Sequence, residues 1–137
     1  MQITGRLLAI ASVGFLLLAY SNFGPNALTN PEITPYLKNH LIREFTFGIS
    51  LTLMTIYLLV GPITRIRWKT IAFLGTIVVS PFWIAASFGF VTQGMHGAWQ
   101  GESTTDTTAL TLHGAQVVGF YVGLVLLYFT VKEPTRL

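Results

Sequence analysis

The sequence contains no cysteine and very little charge. Without thiols the chain forms no disulfide and offers no thiolate ligand for a metal. Charged residues make up 9% of its 137 positions, whereas a soluble domain carries roughly 25% because its surface faces water. With hydrophobic residues at 52% and a mean hydropathy of +0.62, this composition excludes a water-soluble globule.

Four long intervals of the sequence contain no charged residue: 7–31, 45–64, 70–101 and 107–131. A helix of about 20 apolar residues crosses the roughly 30 Å hydrocarbon layer of a bilayer. None of these intervals has the alternating pattern of membrane barrel strands, so helices are the spanning elements. The sequence therefore predicts an all-α polytopic membrane protein. Its single domain, 1–137, would be an antiparallel bundle of four transmembrane helices, with spans at about 5–23, 42–63, 70–92 and 109–131.

Basic residues are distributed unequally between the two sides of this bundle. Six lie on one side: Arg6, Arg65, Arg67, Lys69, Lys132 and Arg136. The other side has only two, Lys38 and Arg43, together with four acidic residues. The positive-inside rule then places both termini on the cytoplasmic side of a prokaryotic inner membrane, or on the equivalent side of an organellar membrane. The net charge of +3 comes from basic residues that flank the predicted spans. No nucleic-acid partner is therefore expected.

Proline and glycine mark the predicted helix ends. Thr34-Pro35 is an N-cap followed by proline at the first helical position, and Gly61-Pro62 ends the same helix. The stretch 21–36 reads as a turn-rich outer loop, and 93–108 as an extramembrane hairpin. Ser80-Pro81 predicts a kink in the third span.

Candidate chemistry is confined to the outer side. No Asp, Glu, Lys or Arg lies at mid-depth in any span, which disfavours proton-coupled transport by this chain alone. His40 and Glu44 share a helical face at spacing i, i+4. They would either bind a metal or tune a proton, or form an interfacial pair in which His40 or Arg43 lowers the cost of desolvating the Glu44 carboxylate.

Histidines on two spans allow a cofactor site. His113 lies inside the fourth span with Gln116 one turn deeper, and a neutral imidazole is a good haem or metal ligand. His40 and His113 both approach the outer end of the bundle, so together they could hold haem b, or a quinone with Gln116 or Glu44 in support. The alternative is that these histidines, with His96 in the hairpin, are interfacial and hydrated.

A strip of small residues at spacing four follows His113: Ala115, Gly119 and Gly123. Such a strip lets another helix approach closely, and it predicts a helix–helix interface with another span or another subunit. We expect His113 to lie on the opposite face of the helix.

Three segments, GRLLAIASVGFLLLAYSNF, EFTFG and LLVGPITRIRW, resemble the DoxX-like group of small four-helix membrane proteins. Gly61, Thr64 and Arg65 match that group's turn between its second and third spans, and the likeness covers roughly 5–90. The resemblance implies an association with quinol oxidation or another membrane redox system, and it assigns no catalytic residue.

Three functions follow from these features. The first is a non-catalytic integral membrane subunit of a larger respiratory or photosynthetic assembly, bound to other membrane subunits or to itself. The second is a haem- or quinone-binding redox subunit that uses the outer histidines. The third is a homo-oligomeric channel or transporter with its pathway between protomers.

Overall fold

The computed structural model describes residues 1–91 and 106–131. Within these ranges, the structure describes only the backbone of residues 19, 22, 23, 82, 85–91 and 106–110. The described residues form four α-helices and no strand: α1 (Gln2–Thr29), α2 (Pro35–Val60), α3 (Arg65–Val91) and α4 (Asp106–Tyr128). The all-α prediction is confirmed.

The helices pack around a ring in chain order. α1 contacts α2 and α4, α3 contacts the same two helices, and α1 meets α3 only weakly across the diagonal. Connections of four or five residues join α1 to α2 and α2 to α3, which makes these neighbours antiparallel. The centre of the ring is filled by apolar side chains that are fully buried: Val13, Leu16, Leu59, Ile71, Val79, Phe120 and Leu127.

Both predicted ends of α2 are confirmed. The Thr34 hydroxyl accepts a hydrogen bond from the Leu37 amide at 3.3 Å, so Thr34 is the N-cap and Pro35 the first helical residue. The helix ends at Val60, immediately before Gly61-Pro62. Pro81, the predicted kink site, lies inside α3.

The predicted outer loop at 21–36 is wrong over 21–29, because α1 continues to Thr29 through Pro25. Proline removes one amide donor but not the helical backbone angle, and packing can offset the lost bond. Here the Ala27 side chain is buried, and the Thr29 hydroxyl donates to the Pro25 carbonyl at 2.8 Å. Tertiary packing therefore outweighs the local turn signal of Gly24-Pro25.

The predicted hairpin 93–108 is wrong at its end, because α4 begins at Asp106 and makes 106–108 helical. The remainder of the hairpin, including His96 and Glu102, lies outside the described residues. The α4 helix ends at Tyr128, three residues before the predicted end of the fourth span.

The outside of the bundle is apolar. Large hydrophobic side chains are exposed on every helix, and Leu7, Phe47, Phe73 and Val118 are each more than 60% accessible. Among the described residues, two stretches are long and apolar enough to cross a membrane, Pro35–Val60 and Thr111–Tyr128, and Gln2–Leu18 is a shorter apolar segment. These features support a membrane location.

Candidate functional site

His113 is joined to α1 through a buried glutamine. Its Nδ1 lies 3.1 Å from Gln116 Oε1, and Gln116 Nε2 donates to the Ser12 carbonyl of α1 at 2.8 Å. The Gln116 side chain is 5% exposed. The ring of Phe15 meets the imidazole edge-on, with centroids 6.3 Å apart. His113 therefore lies at the α1–α4 contact, near the end of the bundle where α4 begins.

This network fixes the tautomer of a neutral His113. Because Gln116 uses its amide nitrogen towards Ser12, its oxygen faces the imidazole and can only accept. Nδ1 of the neutral imidazole therefore carries the proton and donates it to Gln116 Oε1.

The prediction that His113 lies opposite the small-residue strip is wrong. Gly119 and Gly123 also face α1, since a Cβ at Gly123 would lie 2.8 Å from the Gly5 carbonyl oxygen and 2.9 Å from the Ala9 amide nitrogen. A Cβ at Gly119 would lie 2.7 Å from the Ser12 hydroxyl. A single α4 face, from His113 to Gly123, therefore packs on α1.

The predicted helix–helix interface thus has its partner within the chain. The small residues of α4 meet small residues of α1, Gly5, Ala9 and Ser12, so the two backbones come into van der Waals contact. Ala115, the third member of the predicted strip, is exposed and lies outside this contact.

The second candidate pair, His40 and Glu44, lies on α2 and is mostly exposed. His40 Nε2 is 3.0 Å from Glu44 Oε1, and both side chains are more than half accessible. This geometry is that of an exposed i, i+4 ion pair, which contributes about 0.3–0.5 kcal/mol when His40 is protonated.

His40 and His113 lie on helices that are diagonal partners in the ring, and each contacts a residue on its own helix. That the two histidines hold one haem stays a prediction. In the described ranges no three His, Asp or Glu side chains group as metal ligands.

The other buried polar groups of the bundle are satisfied locally. Thr52 donates to the Gly48 carbonyl and Thr55 to the Leu51 carbonyl, both at 2.8 Å, and both threonines are fully buried. Each hydroxyl bonds one turn back on its own helix. Across the described part of the core, these threonines do not link to Gln116 in a chain that would carry a proton.

Two arginines at the opposite end of the bundle have a role that the sequence did not predict. Arg6 Nη1 donates to the carbonyls of Leu59 and Val60 at 3.0 and 2.8 Å. Arg67 donates through Nε to Leu58 at 2.7 Å and through Nη2 to Tyr57 at 3.0 Å. These are the last four carbonyls of α2, which have no partner within the helix, so two side chains cap all of them.

Gly61 makes room for this cap, because a Cβ there would collide with the Arg67 guanidinium. Arg67 follows Gly61-Pro62 closely in sequence, so the basic residues after this turn could have indicated a cap for the end of α2. Arg6 lies 53 residues from Leu59 and could be assigned only from the folded chain.

Comparison with protein-family models, curated proteins and solved structures finds no match for this chain. The DoxX-like resemblance stays a prediction, and the functional argument depends on the geometry.

Proposed function

We propose that this chain is a four-span integral membrane protein with both termini in the cytoplasm. It serves as a non-catalytic subunit of a larger membrane assembly, of the respiratory or photosynthetic electron-transfer kind. The spans are those at about 5–23, 42–63, 70–92 and 109–131, in a prokaryotic inner membrane or its organellar equivalent.

One observation carries the proposal: the outside of the bundle is apolar, unlike the surface of a soluble protein. Large apolar side chains cover the outside of all four helices, while the buried polar side chains among the described residues are Ser12, Thr52, Thr55 and Gln116. In water such a surface would drive aggregation, whereas lipid or an apolar partner helix solvates it without cost. The exterior is therefore the surface that interacts.

The same observation argues for a structural role rather than a transport role within one protomer. A proton or ion pathway through a membrane bundle needs ionisable groups facing its interior. In the described core the buried polar groups are neutral and hydrogen-bonded within the bundle. Any function then depends on what the outer faces bind.

A second candidate is a redox subunit in which His113 interacts with a haem or quinone at the surface of the bundle. The specific observation in its favour is the link from His113 through Gln116 to the Ser12 carbonyl, which holds an imidazole at the α1–α4 contact. Gln116 would orient the imidazole, while His40 and Glu44 would take no part.

Extraction in a mild detergent tests the proposal. We expect the chain to migrate in a stoichiometric complex with other membrane subunits, well above its own 15.1 kDa mass. Deleting the chain should lower the amount of assembled complex but leave the turnover of each remaining complex unchanged. Absorption spectra of the purified complex and of the purified chain are then compared. The chain alone should lack a Soret band, so any haem in the complex would belong to another subunit.

Three results contradict the subunit proposal in different ways. A monomer in mild detergent removes the assembly. A complex containing only copies of this chain favours the homo-oligomeric channel. A Soret band that belongs to the isolated chain and disappears in His113→Ala favours the redox subunit.

A further inference from the structure

The end of the bundle where α2 finishes and α3 begins carries a concentration of positive charge. Four basic residues, here called the basic end, lie on two helices, Arg6 on α1 and Arg65, Arg67 and Lys69 on α3. The carboxylates with described side chains, Glu32 and Glu44, lie at the opposite end of α2. The basic end therefore differs in charge from the end of the bundle that carries Glu32 and Glu44.

Two of these four cations are held in position by the fold. Arg6 and Arg67 donate to four consecutive carbonyls of α2, so their guanidinium groups bracket the end of one helix. A helix C-terminus has a partial charge of only about −0.5, which leaves the pair of guanidinium groups net positive. Arg6 uses one of its three nitrogens in this cap, and a guanidinium has five N–H donors.

The other two cations are exposed one turn apart. Arg65 and Lys69 occupy positions i and i+4 at the start of α3, both accessible, so they share one face of that helix. The N-terminus of α3 adds its positive dipole end on the same side. This face adds two exposed cations to the fixed pair.

Apolar and aromatic side chains surround the basic end. Ile66 and Val60, which neighbour Arg65 and the α2 cap in sequence, are 79% and 66% exposed. Tyr57, Trp68 and Tyr128 lie at the same end, with the rings of Trp68 and Tyr128 5.3 Å apart. Aromatic side chains of this kind mark the headgroup level of a membrane. Cations at headgroup level, bordered by exposed apolar side chains, match a molecule with an anionic head and an apolar tail.

We propose that the basic end binds the phosphate group of an anionic phospholipid. Arg65 and Lys69 attract the headgroup, Arg6 and Arg67 offer fixed N–H donors, and the acyl chains lie along Val60 and Ile66. The bound lipid would bridge the start of α1 to the start of α3 across the end of α2. The inference rests on the membrane location proposed above, and it goes beyond the subunit role by assigning a lipid ligand and its site.

The test compares lipid retention by the full chain in nanodiscs, measured by native mass spectrometry. Phosphatidylglycerol and phosphatidylcholine with the same acyl chains are supplied in equal amounts, and phosphatidylglycerol should be retained preferentially. Each basic residue near a membrane surface contributes about 1 kcal/mol, equivalent to about a fivefold change in affinity. Arg65→Gln combined with Lys69→Gln should therefore lower the preference about 25-fold.

The chain offers a matched control at its other end. Lys38→Gln combined with Arg43→Gln removes the same two charges and should leave the preference within about twofold of the original, because screening weakens exposed charges beyond about 10 Å. Arg65→Lys keeps the charge and should keep most of the preference, which separates a lipid effect from misfolding.

Several outcomes would overturn the proposal. Equal retention of the two lipids by the original chain would do so, and so would equal losses in the two double variants. Displacement of phosphatidylglycerol by 10-fold excess inorganic phosphate would assign the site to a free anion instead. A chain that enters nanodiscs without lipid preference contradicts this inference alone, whereas a chain that does not enter them contradicts the membrane location as well.

Discussion

Gly123→Ala is expected to destabilise the bundle by about 2 kcal/mol, within the range of core overpacking. The added Cβ would lie 2.8 Å from the Gly5 carbonyl oxygen and 2.9 Å from the Ala9 amide nitrogen. Both are backbone atoms, which cannot rotate away, so α1 and α4 must separate along their contact. Interfaces between small residues in membranes depend on this close packing, so the loss is not offset by burying a methyl group.

The chain provides two graded controls for this variant. Gly14 is also helical but has no heavy atom within 4 Å of its Cβ position, so Gly14→Ala should leave stability unchanged or raise it by up to about 1 kcal/mol through helix propensity. Gly119→Ala meets only the Ser12 hydroxyl and should fall between the two. Unfolding in a mixed detergent–SDS titration, followed by circular dichroism, measures all three. If Gly123→Ala and Gly14→Ala behave alike, the α1–α4 contact is wrong.

Removing the Arg6 cap is expected to produce the second largest effect. Arg6→Gln loses two charge-assisted bonds, to the carbonyls of Leu59 and Val60, and leaves them short of donors at a partly buried helix end. Because water reaches part of this end, we expect a loss of about 2 kcal/mol, the range for a hydrogen bond to a charged group. Arg6→Lys should recover only part, since an ammonium is a compact point charge without a planar fork.

Arg43→Gln is the matched control for Arg6→Gln. It removes the same charge from an exposed position of α2, and surface substitutions of this kind stay within about 0.5 kcal/mol. The same SDS titration, in a nonionic detergent without added lipid, keeps lipid binding at the basic end out of the comparison. Equal stability of the two variants would mean that the α2 carbonyls are satisfied without Arg6.

Local signals in the sequence predicted the helices well. Thr34-Pro35 and Gly61-Pro62 marked both ends of α2 because capping and proline chemistry act within a few residues. Pro25 misled the same reasoning, since the burial of Ala27 that keeps α1 helical comes from tertiary packing.

Which faces meet was harder to predict, and the reason is physical. These helices are apolar on nearly all sides, so the polar stripe that orients a helix in a soluble protein is missing. Glycine spacing did identify Gly119 and Gly123 as a packing strip, but not α1 as the partner. The hydrogen bond from Gln116 to Ser12, 104 residues apart, likewise depends on a contact that only the fold creates.

The part of the candidate site that depends on local spacing along α4 could be predicted from the sequence. His113 and Gln116 were named together from their one-turn spacing, and they are hydrogen-bonded. His40 was grouped with His113 from the expectation that both lie near the outer end. The ring order of the helices puts α2 and α4 on a diagonal, which sequence order alone does not reveal.

The measurement that tests the four-span arrangement most directly is site-specific labelling, which the absence of native cysteine makes free of background. Single variants Glu32→Cys, Pro62→Cys, Ser103→Cys and Leu137→Cys would be treated with a membrane-impermeant maleimide in intact cells or organelles. We predict that Glu32→Cys and Ser103→Cys react at once, and that Pro62→Cys and Leu137→Cys react only after permeabilisation. The reverse pattern would contradict the orientation, and immediate reaction at all four positions would contradict a bundle that crosses the membrane four times.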